Sequence, residues 1–143
     1  MDQKAKELDV KYQRIWDIEK KIRLHKDAVG MLRETSLPAD VMEEHITKHV
    51  QVAEGLRAEL EVLRREQLDD FMYVENIEGL RILSMRYLEN LTWDQVTELT
   101  GNSRRWLMKI RDKALSEIVT AKKDSKSSHQ FTCSSLEDSE EGR

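Results

Sequence analysis

The chain is predicted to be all-α, with an N-terminal antiparallel helical hairpin, coiled-coil-like, ahead of a C-terminal three-helix module. Three observations predict this. Charged residues make up 36% of the 143 and aromatics only 6%, with a single proline, a composition that favours long amphipathic helices. Apolar residues recur at spacings of three and four, and β-branched clusters that would suggest a sheet are few. Helix-starting and helix-ending residues then punctuate the last third of the chain at short intervals.

From about Lys4 to Glu34, Leu8, Ile15, Ile18, Ile22, Val29 and Leu32 form a seam along one helix. Lys11 and His25 occupy seam positions, so the heptad is imperfect. Tyr12 and Trp16 widen the stripe, which suits a bundle as well as a coiled coil. The run Thr35-Ser36-Leu37-Pro38-Ala39-Asp40 sets a proline near the first position of a second helix and is expected to reverse the chain. A second seam runs through Val41 or Met42, Ile46, His49, Val52 or Ala53, Leu56, Leu60, Leu63, Leu68 and Phe71. Helices of this length would make a hairpin about 45 Å long, at 1.5 Å per residue. Gly55 should weaken the second helix by about 1 kcal/mol relative to alanine.

A lone two-helix hairpin leaves one face of each helix wet and has little margin against chain entropy. Residues 1–74 are therefore expected to form the hairpin and to self-associate as a homodimer, with folding back onto the C-terminal part as the alternative. His45 and His49 stand at i, i+4, a spacing able to share a metal, but no third ligand is near in sequence, so no metal site is expected.

A third helix, Ile77 to Leu88, offers Leu80, Leu83, Met85 and Leu88 to cover the two short helices beyond it, which cannot close a core alone. Glu89-Asn90 turns the chain toward Thr92. Thr92 with Gln95 three residues on is a capping box, and Trp93, Val96 and Leu99 fall at i, i+3, i+6. Gly101 supplies a left-handed end, and Asn102 or Ser103 caps the next helix. This is helix-turn-helix punctuation, and it sets the third segment at residues 75–123.

In the last helix Leu107, Ile110, Ala114, Leu115 and Ile118 fall on one side. Ser103, Arg104, Arg105, Met108, Lys109 and Asp112 fall mostly on the other. Between Gly101 and Lys123 seven Lys or Arg stand against Asp112 and Glu117, a local +5 within a chain of net charge −4. Locally placed positive charge is what phosphate binding needs, whereas a charge run alone would describe any solvated helix. Double-stranded DNA is the expected partner, because a recognition helix reads the major groove with its first turns.

Residues 79–118 carry a resemblance. The joint Arg86-Tyr87-Leu88-Glu89-Asn90-Leu91-Thr92-Trp93, the Leu99-Thr100-Gly101 turn, the Ser103-Arg104-Arg105-Trp106 start and the close from Ile110 to Leu115 resemble the region-four helix-turn-helix of bacterial sigma factors. They are similar, more closely, to phage transcriptional regulators of the ArpU and sigma-like type. About residues 75–121, a third of the chain, are covered. By position the resemblance implies base reading by Arg104, Arg105, Met108 and Lys109, and phosphate contacts by Thr92, Ser103, Arg111 and Lys113. Met108 departs from the polar residue usual in sigma factors; a thioether makes no bidentate bond to a base edge, so its contact would be apolar, as with a thymine methyl. Trp106 is expected to pack within the helix pair rather than lie against a sugar.

The resulting expectation is a sequence-specific transcriptional regulator, phage-encoded if the resemblance holds, acting as a homodimer in the cytoplasm of a bacterial host. Two alternatives fit the same residues: an adaptor that contacts RNA polymerase or sigma, and a DNA-packaging recognition subunit. No enzyme is expected, since there is no glycine-rich phosphate loop, no nucleophile with a base at readable spacing and no metal-ligand cluster. No cofactor is expected either. No stretch has the apolar length of a membrane helix or signal peptide, so no membrane association is expected. Cys133 is the only cysteine and closes no intramolecular disulfide. Residues 124–143, serine-rich and acidic, are expected to stay disordered.

Overall fold

A computed structural model describes the backbone of residues 2–140 and the side chains of residues 2–124. Among the described residues every regular element is helical: α1 (Gln3–Arg33), α2 (Ala39–Phe71), α3 (Ile77–Leu83) continued by a π-helical turn (Ser84–Leu88), α4 (Trp93–Thr100) and α5 (Arg104–Glu140). No helix in this set is long and apolar enough to cross a membrane. The backbone of α5 runs helically through 124–140, where the composition predicts a disordered tail. The side chains from 125 onward, Cys133 included, lie outside the described residues.

The chain divides into two compact units, Val10–Leu68 and Met1–Asp9 with Asp69–Arg143. The first nine residues thus group with the C-terminal part rather than with the segment ending at 74. Ala5 and Leu8 are buried in this grouping. Asp9 accepts a hydrogen bond from the Tyr87 hydroxyl at 2.5 Å and lies 3.9 Å from Arg111.

In the unit Val10–Leu68, Lys11 pairs with Glu66 at 2.7 Å, Arg14 with Glu59 at 2.5 Å, Arg64 with Glu19, and His25 with His49 at 2.8 Å. Partners from the start of α1 come from the end of α2, so the two helices run in opposite directions. Tyr12, Ile15, Ile18, Ala53 and Gln67 are buried. Of the alternatives on α2, Met42 is half-buried and Val41 exposed, while Ala53 is buried and Val52 exposed. Leu68, expected on the seam, is exposed, and its neighbour Gln67 is buried with its carbonyl accepting from Arg64 at 2.6 Å.

In the other unit, Asn76 caps α3 by accepting from the backbone of Glu78 and Gly79. Gly79 is needed for closeness: a Cβ there would stand 3.2 Å from that of Ala114 on α5. The π-helical turn adds a residue to the helical period. It buries Tyr87 and leaves Leu88 half-exposed; of the residues the 3.6-residue pattern selects, Leu83 is buried and Met85 packs on the core, while Leu80 and Leu88 are half-buried and Ile82 and Tyr87 join the covering face. Asn90 then takes a left-handed conformation at φ 58°, and Leu91 donates its N–H to Met85 O at 3.0 Å. The core here joins Ile82, Trp93, Val96 and Leu107, with Met85, Leu91, Met108 and Ile110 packed against it.

Candidate nucleic-acid interface

Helix α4 begins where the capping box requires. Thr92 donates its N–H to the Gln95 side chain at 2.8 Å, and its hydroxyl accepts from Gln95 N at 3.1 Å. Both groups satisfy donors that a helix start otherwise leaves orphaned. The hydroxyl assigned to a phosphate is therefore already an acceptor for the helix itself. Val96 and Trp93 are buried, but Leu99 is 62% exposed. Steps of three residues fall short of a full turn by about 60° each, so by the third position the stripe has rotated off the core.

Gly101 ends α4 at φ 75° and donates to Thr97 O at 2.8 Å. This is the left-handed region that glycine enters without a Cβ penalty. Of the two candidate caps for α5, Ser103 serves: its Oγ accepts from Trp106 N at 3.2 Å. The chain thus turns through three residues between two helices whose ends are satisfied locally.

Helix α5 buries Leu107, Ala114, Leu115 and Ile118. On the far side Arg105, Lys109 and Lys113 are exposed, and Ser103 and Arg104, one turn before Leu107, are exposed at the start of the helix. Arg105, Lys109 and Lys113 stand at i, i+4, i+8, a stripe about 12 Å long at 1.5 Å per residue. Arg104 approaches Asp94 at 3.8 Å, but the Asp94 side chain is 92% exposed, and a solvated pair at that distance leaves the guanidinium available. Trp106, expected to pack, remains 38% exposed beside these cations.

Besides Thr92 and Ser103, whose hydroxyls cap helices, and Arg104, which approaches Asp94, two more of the residues assigned to DNA have partners within the chain. Met108 is half-buried and packs against the Ile82–Trp93–Val96–Leu107 cluster. Arg111 is held inward as well, with a side chain only 13% exposed. Its Nε donates to Asp112 at 2.9 Å, and its guanidinium lies 5.4 Å from the Trp93 ring centroid. Burial works against its charge. The Tyr87 hydroxyl, Asp112 and Asp9 together outweigh that cost and hold its pKa above the usual arginine value. Burial, then Asp9, likewise pushes the Tyr87 hydroxyl well above the ordinary tyrosine range. The sequence carried the signal: Leu107 four residues before and Leu115 four after set Arg111 in the middle of the buried stripe.

Lys122 is also engaged, at 3.1 Å from the buried carboxylate of Asp70. The local +5 therefore counts two cations that are held within the unit.

Among the histidines, His45 Nδ1 lies 3.0 Å from the Val41 carbonyl, so it does not join His49 across one turn. His49 faces His25 on the neighbouring helix instead. No group of three or more potential metal ligands occurs among the described residues. No protein-family model, curated protein or solved structure matches the chain.

Proposed function

We propose that the protein is a sequence-specific DNA-binding transcriptional regulator whose α3, α4 and α5 form a helix-turn-helix, with α5 entering the major groove by its first three turns. The observation that carries this is the exposed cationic stripe of Arg105, Lys109 and Lys113 with Arg104 at the helix start, directly after a locally capped turn and backed by a closed apolar face. A helix fits the major groove, about 12 Å wide, and an arginine there reads guanine by two parallel hydrogen bonds. Arg104, Arg105 and Lys109 read base edges in this proposal, and Lys113 contacts phosphate. The sigma-region-four and ArpU-like motifs around Gly101 and Ser103 point the same way.

The antiparallel α1 and α2 serve as a homodimerisation hairpin in this reading. Val10, Leu24 and Met31 on α1 stay exposed at multiples of seven residues, with Asp17 between the first two, a partly apolar row that a second copy would cover. Two recognition helices would then meet two half-sites.

Selection of bound fragments from random duplex DNA tests the proposal. An enriched motif is expected. In a mobility-shift assay Arg104→Ala and Arg105→Ala should each cost about 1–3 kcal/mol on it, with relaxed preference at one position. No enriched motif, together with a double variant that binds like the wild type, would overturn the reading.

A further inference from the structure

From Glu19 to Val52, across the end of α1 and the start of α2, no side chain is fully buried. This stretch lies within the unit Val10–Leu68, and here two imidazoles meet. Their Nδ1 atoms are 2.8 Å apart, with ring centroids at 5.1 Å and planes inclined by 47°. Both rings are half-buried, so one edge of the pair is open to solvent.

A contact of that length between two nitrogens requires one ring to donate its Nδ1–H to the lone pair of the other. At least one Nδ1 is thus neutral and unprotonated, the state a metal ligand needs. If the donor ring moves its proton to Nε2, both Nδ1 lone pairs become free without net loss of a proton.

With metal–nitrogen bonds of about 2.0–2.1 Å, two imidazole nitrogens on one cation stand about 2.9 Å apart at a right angle and about 3.3 Å at the tetrahedral angle, so a pair in hydrogen-bond contact at 2.8 Å has to open by no more than about half an ångström. We propose that His25 and His49 form a bidentate site for a divalent transition-metal cation of the kind imidazole favours, such as Ni²⁺ or Cu²⁺, clipping α1 to α2. Small rotations of the two rings turn the lone pairs from each other onto the metal, and water fills the open positions. Among the described residues no third protein ligand joins them, so the site is a chelate rather than a closed cage. It is independent of the DNA-binding reading, because its residues are not on α5.

The test is a titration of the full chain with nickel chloride, read by calorimetry and by thermal melting, with magnesium chloride as control. One-to-one binding and a raised unfolding midpoint are expected with nickel and not with magnesium. His25→Gln and His49→Gln should each weaken binding by more than about tenfold, the least that loss of even a supporting group around a ligand produces. His45→Gln should leave it unchanged. With copper chloride, the electron paramagnetic resonance of the wild type should show coupling to two nitrogens, a readout that needs no variant to fold. Equal affinity in the His25→Gln or His49→Gln chain, loss in His45→Gln, or a copper spectrum with fewer than two coupled nitrogens would overturn the proposal.

Discussion

Replacing Arg111 and Lys113, two residues apart on α5, should separate a DNA contact from a structural charge. If the exposed cations Arg104, Arg105, Lys109 and Lys113 each displace a counterion from duplex DNA, the base-reading ones through the phosphates flanking the groove, the logarithm of the binding constant should fall against that of salt with a slope of about −3.6 per protomer, at −0.9 for each charge. A fourfold rise in salt, from about 50 to 200 mM, would then weaken binding about 150-fold. Lys113→Ala removes one exposed charge and should bring the slope to about −2.7, weakening all sequences alike. Arg111→Met removes a charge that is 13% exposed and already set between Asp9, Asp112 and Trp93. Its slope should stay at the wild-type value, while stability falls by about 3 kcal/mol as the Asp9 and Asp112 carboxylates lose their counter-charge. Fluorescence anisotropy with labelled duplex at four salt concentrations gives the slopes, and urea unfolding gives the stability. A shallower slope in Arg111→Met at undiminished stability would refute the assignment of that residue to the core. An unchanged slope in Lys113→Ala would refute the placement of the stripe on DNA.

The buried Tyr87 hydroxyl has a folded pKa raised above its unfolded value, so the stability it contributes is complete below about pH 10 and declines as pH rises further. Comparing urea midpoints between pH 9 and 11 should reveal a loss of about 1.4 kcal/mol over that interval that is absent in Tyr87→Phe. Gly101→Ala forces a Cβ into φ 75° and should cost about 1 kcal/mol, with Gly101→Asn costing less; thermal melting ranks the three chains. Met108→Gln should destabilise the fold by about 1–3 kcal/mol, because an amide replaces a thioether packed on the core, and any loss of DNA affinity should show no preference for one base position.

Much of the local structure was legible because it is decided locally. Thr92 with Gln95, Gly101 and Ser103 act on backbone groups within four residues, and each does in the structure what its chemistry predicts. The long helices arise from spacing in the same way. Leu99, Met108 and Arg111 depart from the sequence pattern for one reason: a helical face has soft edges, and residues there are assigned by what packs on them. Arg111 illustrates it best. By residue type it belongs to a phosphate-binding set, and by position to the apolar stripe of Leu107 and Leu115.

By itself the sequence determined the helical class, the punctuation around Gly101 and the cationic start of α5, since propensity, capping and charge are properties of neighbours along the chain. Only the tertiary structure decided that Asp9 meets Tyr87 and Arg111 across some hundred residues, that the π-helical turn buries Tyr87, and that His49 faces His25 rather than His45. Those choices depend on which surfaces exclude water together, and a linear pattern carries no record of the partner surface.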